Sequence, residues 1–168
     1  MSTIPMPSAR PSGLALSMLA GMVAASLVSI LLVFVFPGGS GSIDQALPQT
    51  GPLGALISNI VPFVWVGLFA GLGAAFWLVA GGEESPGRAG WWIIGLLGLC
   101  VLYPVLSAGV SLPMIVIIGN IVTVVVALIT AWACWPKSRL AALFPALVAV
   151  WVSLATAGIF AIVLGLSF

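Results

Sequence analysis

Histidine is absent from this 168-residue chain, and charge nearly so: four Lys or Arg, three Asp or Glu, a net charge of +1. Without imidazole there is no His general base and no imidazole metal ligand. The two cysteines, Cys100 and Cys134, lie inside apolar stretches. Two thiols alone do not make a tetrahedral zinc site, and these read as small buried hydrophobes. Charged residues make up 4% of the chain, whereas a water-soluble domain draws about a quarter of its residues from the charged types. That excludes a soluble enzyme, a nucleic-acid binder and a disordered chain. The small net charge gives a polyanionic partner nothing to hold.

What remains is apolar, 62% of the residues, and the solvent for most of the surface must be lipid. A span needs about 20 apolar residues. Charges and turn residues cut the chain into five stretches of about that size: 14–36, 60–81, 91–112, 114–135 and 140–166. No charge separates Trp91 from Trp135, yet one helix over that stretch would be roughly 67 Å long, twice the hydrocarbon core. The chain must therefore turn back where Ser107, Gly109, Ser111 and Pro113 cluster. The expected fold class is an all-α integral membrane protein, a bundle of five transmembrane helices. Residues 1–13 form a tail, 14–168 a single membrane domain, and 37–59, rich in Gly, Pro and Ser, the one long loop.

The basic residues orient this arrangement. Arg10 precedes the first span, Arg88 lies between the second and third, and Lys137 and Arg139 lie between the fourth and fifth. Five spans put all four on one side, which the positive-inside rule makes cytoplasmic. The expected location is a bacterial inner membrane, with the N-terminus inside and the loop 37–59 outside. The first apolar run exceeds the 7–15 residues or so of a signal-peptide core, so it is expected to stay as a helix.

Seven Trp are present, and their settings carry a resemblance. The second span contains Pro62-Phe63-Val64-Trp65-Val66-Gly67-Leu68-Phe69 and then Gly73-Ala74-Ala75-Phe76-Trp77. The fifth opens with Arg139-Leu140-Ala141-Ala142-Leu143 and continues to Trp151-Val152-Ser153-Leu154-Ala155-Thr156. These segments resemble the second and fifth helices of the TspO/MBR family, the tryptophan-rich sensory or translocator proteins. The likeness covers roughly residues 14–166 and implies a TspO-like five-helix bundle. There are departures. Gly95 and Leu99 stand where the family carries a Gln and an Asn, Val148 where it has a Tyr, and Ile159 where it has an Asn. The first loop has Pro48 and Pro52 in place of a Trp-x-Pro-Pro element.

Helical spacing puts Trp65 with Phe69, and Trp151 with Ala155, on shared faces. The resemblance implies that Trp65 and Trp151 line an internal pocket for a porphyrin or another flat hydrophobic ligand. Two indoles offer broad faces and one hydrogen-bond donor each, and the small Ala155 would leave room beside Trp151. Equally open is a role for these Trp in the bundle core. Trp91, Trp92, Trp132 and Trp135, near span ends, read as an interfacial belt. Gly67, Gly71 and Ala74 form a small-residue surface that suits a homodimer or packing within one chain. Asn120 is the strongest polar group in a span, and bonding to another helix is its first expectation. No Asp, Glu, Lys or Arg lies within a span, which argues against ion-coupled transport by the chain alone.

The resemblance therefore implies a sensor, regulator or carrier that binds a tetrapyrrole such as a porphyrin or haem, with no required cofactor, no metal and no acid–base catalysis. At most it implies Trp-dependent porphyrin degradation, as in some family members. The alternatives are an accessory subunit of a membrane complex without its own ligand, or a small oligomeric transporter.

Overall fold

In the computed structural model, residues 11–35, 52–80, 86–107 and 113–163 are described, and all but a few connecting positions are helical. Five helices follow one another: α1 Pro11–Val35, α2 Pro52–Ala80, α3 Gly87–Ser107, α4 Pro113–Cys134 and α5 Arg139–Val163. Among the described residues three stretches are long and apolar enough to cross a membrane, Phe63–Ala80 in α2, Ile115–Cys134 in α4 and Arg139–Phe160 in α5. α1 and α3 contribute shorter apolar stretches, Gly13–Val23 and Gly87–Leu102.

The largest departure from expectation is the start of α2. Residues 52–59, expected in the loop, are helical. Proline at the first helical position loses no hydrogen bond and has φ already set for a helix; Pro52 and Pro113 both use it. The rest of the expected loop, 37–51, and residues 108–112 of the expected turn lie outside the described residues.

The joints between helices follow local chemistry. Gly87 takes a φ of 59°, a left-handed conformation that glycine adopts without a Cβ clash. The chain then enters α3 with the Gly90 amide donating to the Pro86 carbonyl at 3.1 Å. Between α4 and α5, the Lys137 and Ser138 amides both close onto the Cys134 carbonyl, at 3.0 and 2.9 Å. Ser138 caps α5, its Oγ accepting from the Ala141 amide at 3.2 Å.

The closest packing joins α1 to α2. Gly13, Ser17 and Gly21, spaced by four, form one stripe on α1. They meet Trp77, Gly73 and Phe69 in turn, so the two helices run antiparallel. A Cβ on Gly21 would strike the Phe69 carbonyl, and one on Gly73 would strike the Ser17 carbonyl. Backbone lies on backbone here. The Ser17 hydroxyl seals the contact by donating to the Gly73 carbonyl at 2.6 Å.

α2 is the hub, packed against α1, α3 and α5, with α4 completing the ring between α3 and α5. From Phe69 to Ala75 every residue of α2 is buried. Leu72, Ala75, Ile93, Leu96 and Val148 are fully enclosed. The surface Gly67–Gly71–Ala74 is divided in consequence. Gly71 packs within the chain, where a Cβ would lie 2.5 Å from the Phe144 ring of α5, and Ala74 is buried. Only Gly67 is open, and a Cβ there would meet nothing within 4 Å. Outward, the bundle exposes Phe63, Ile118, Val125, Leu128, Leu147 and Leu154, a surface that suits hydrocarbon rather than water.

A leucine in a backbone contact cannot be absorbed by side-chain rotation. Gly21→Leu and Gly73→Leu should each destabilise the protein by about 3 kcal/mol or more, whereas Gly67→Leu should stay within about 0.5 kcal/mol of wild type. Thermal unfolding in detergent measures the difference, and equal losses at Gly67 and Gly73 would contradict the α1–α2 packing.

Candidate functional site

Trp65 and Phe69 stand one turn apart on α2 and meet edge to face, with ring centroids 6.0 Å apart and planes at 62°. This is the arrangement that aromatic quadrupoles favour. The two rings are not equally reachable. Phe69 is 3% exposed and belongs to the core, while Trp65 is half-buried and leans on it.

Trp151 on α5 is also half-buried and packs against the same core cluster. Two contacts set its height relative to Trp65. Lys137, just before α5, reaches the Val79 carbonyl at 3.5 Å, and Gly71 abuts Phe144. Residue numbers fall along α2 as they rise along α5, so these helices are antiparallel. Trp65 lies six residues before Gly71 and Trp151 seven after Phe144, so both stand about 10 Å from that contact, at one level of the bundle. Ala155, expected beside Trp151 in an internal pocket, is exposed on α5. The four expected ligand residues thus occupy three environments: Phe69 in the core, the two Trp at its margin, and Ala155 outside. The cavity between α4 and α5 is lined by none of them.

The other Trp gather at the opposite end of the bundle. Trp91, Trp132 and Trp135 are largely exposed, and Trp77 and Trp92 are half-buried. The three described basic residues, Arg88, Lys137 and Arg139, share that end, at the start of α3 and in the α4–α5 joint. Thr130 near the end of α4 reaches the Trp92 carbonyl at 3.4 Å, which ties the two places together. The Arg139 guanidinium lies over the Trp135 ring, 5.6 Å from its centroid. Lys137 brings its charge to the C-terminal carbonyls of α2, where the helix dipole favours a cation.

Polar groups inside the spans are few. Thr123 and Thr130 are buried and return their hydroxyls to the Gly119 and Val126 carbonyls, at 2.9 and 2.7 Å. Asn120 is 8% exposed. Its expected bond to a neighbouring helix is not made among the described residues. Among the described residues no group of three or more Cys, Asp or Glu is placed to hold a metal. Gly95 is exposed with open space around it. The signal that sequence reasoning missed is the Gly13–Ser17–Gly21 stripe, legible as small residues every fourth position.

The different burial of Trp65 and Phe69 separates packing from binding. Phe69→Ala should cost about 3 kcal/mol of stability by leaving a core cavity. Trp65→Ala should cost less than half of that, as read from thermal unfolding in one detergent. The reverse order would mean that Trp65, not Phe69, anchors the core.

No family model, curated protein or solved structure matches this chain.

Proposed function

We propose that this chain is a five-span, TspO-like integral membrane protein that binds a porphyrin or another flat hydrophobic ligand and acts as a sensor, regulator or carrier. The observation that supports the reading is the level placement of Trp65 and Trp151. Two half-buried indoles on antiparallel helices stand beside one core, and Phe69 braces the first. In this reading a planar ligand held at that level would stack on an indole face. Beyond Arg139 at the start of α5 no charged residue lies in α2 or α5, so recognition rests on aromatic faces, indole N–H donors and exclusion of water. The ligand is bound rather than transformed by acid–base chemistry.

A second reading, an accessory subunit of a membrane complex, is favoured by the filled centre of the bundle, where Phe69, Leu72 and Ala75 leave almost no exposed surface. Titration of the purified protein with protoporphyrin, followed by Trp quenching, separates the two. Saturable quenching is expected, and Trp65→Ala and Trp151→Ala should each weaken it severalfold, on the order of 1 kcal/mol per lost stack. Trp91→Ala, at the exposed end, should leave the affinity unchanged. Absence of saturable quenching would favour the accessory subunit.

The same proposal places Arg88, Lys137 and Arg139 in the cytoplasm, together with the N-terminus, in a bacterial inner membrane. Support comes from the shared end of these residues and from the Trp collar around them. Reporter fusions at residues 40, 86, 112, 138 and 168 should alternate, starting outside. Equal signals at 86 and 112 would rule out five spans.

A further inference from the structure

A groove of about 330 Å³ lies on the α4–α5 pair, within the range of small-molecule sites, roughly 300–1,000 Å³. Ile121, Val124 and Val125 of α4 form one wall, and Ser153, Ala157 and Phe160 of α5 form the other, with Thr156 beside them. The cause is a mismatch of side-chain size. Ser153 and Ala157, one turn apart, are short, and the β-branched Val124 and Val125 opposite have stiff χ1 angles that do not reach across.

The two hydroxyls differ. Thr156 donates to the Val152 carbonyl at 2.7 Å, as Thr123, Thr130 and Ser26 donate to carbonyls one turn back. Ser153 is exposed and makes no side-chain hydrogen bond among the described residues. It lies fourteen residues past Arg139, about 21 Å along the helix. That is well inside a hydrocarbon layer of about 30 Å. No charged side chain lines the groove, and a phosphate headgroup does not reach this depth from either surface.

We propose that this groove binds a bilayer-resident amphiphile with an aliphatic chain and one uncharged oxygen. The chain lies along Ile121, Val124, Val125 and Phe160, and the oxygen meets the Ser153 hydroxyl. Three features select this occupant: access from hydrocarbon only, carbon on most of the lining, and one unused hydroxyl at a depth that admits neutral oxygen. The site is separate from Trp65 and Trp151 and stands whether or not porphyrin binds there.

The test uses the full chain in lipid nanodiscs with hexadecanol carrying a photoactivatable diazirine. After irradiation, label should concentrate in residues 121–125 and 153–160 and should be competed by excess plain hexadecanol. Ser153→Ala should weaken competition about threefold, as expected for one hydrogen bond in a membrane. Ala157→Phe, or the milder Ala157→Leu, should fill the groove and remove the saturable label while protoporphyrin quenching is unchanged. Label spread evenly over exposed positions such as Leu128 and Leu147, without competition, would overturn the proposal. So would cross-linking of two chains through the groove, which would make a second copy its occupant. Unchanged competition in Ser153→Ala would overturn the assignment of the oxygen.

Discussion

The rest of the structure depends on the backbone contact between α1 and α2. In hydrocarbon, helices gain no hydrophobic advantage by meeting, since lipid tails are as apolar as Leu. Association has to come from van der Waals contact and from the few available hydrogen bonds. Gly21 against the Phe69 carbonyl and Gly73 against the Ser17 carbonyl bring two backbones together with no side chain between them. The Ser17 hydroxyl adds a bond at the same place. With α1 held there, α2 has a neighbour on the side that α3 and α5 leave open, and its stretch from Phe69 to Ala75 is enclosed all round.

That enclosure decides what the centre of the bundle can do. A helix with Ala and Gly at Ala70, Gly71, Gly73, Ala74 and Ala75 draws its neighbours close. Leu72 and Phe69 then fill what space is left. The margin is looser. Trp65 and Trp151 are too large to enter so tight a centre and stay half-buried at its edge. Half-buried aromatic surface therefore stands at the margin of the core, contributed by Trp65 on α2 and Trp151 on α5.

The helices themselves are legible in the sequence because charges and turn residues interrupt the apolar runs. Among the described residues one helix lies over each of the five apolar stretches, and α2 begins earlier, at Pro52. Pro52 reads as a loop residue in the sequence, although proline also starts helices. The faces are harder to read. A helix that is hydrophobic all round has no polar side to point outward, so spacing shows which residues share a face without showing where that face looks. Gly13–Ser17–Gly21 and Gly67–Gly71–Ala74 are equally good small-residue patterns on paper. The fold uses the first for α1 against α2 and splits the second between α5 and open space. Ala155 illustrates the same limit: spacing relates it to Trp151, but its exposure depends on where α4 and α2 settle around α5. Trp91, Trp132 and Trp135 are exposed near helix ends, a placement that depends on position along the chain and not on angle around the helix.

Side-chain volume also explains why free space lies at the side of the bundle. Around α2, small residues face small residues or a ring edge, and the gaps close. Between α4 and α5 the pairing is different. β-branched Val124 and Val125 line one side of the groove and the short Ser153 and Ala157 the other, so side chains do not fill it. In water such a gap would collapse or fill with solvent. In a bilayer it is lined by surface already matched to hydrocarbon, so opening it costs little. Small residues seal the centre of the protein around α2, while Ser153 and Ala157, opposite β-branched valines, leave its lateral face able to hold a chain drawn from the membrane.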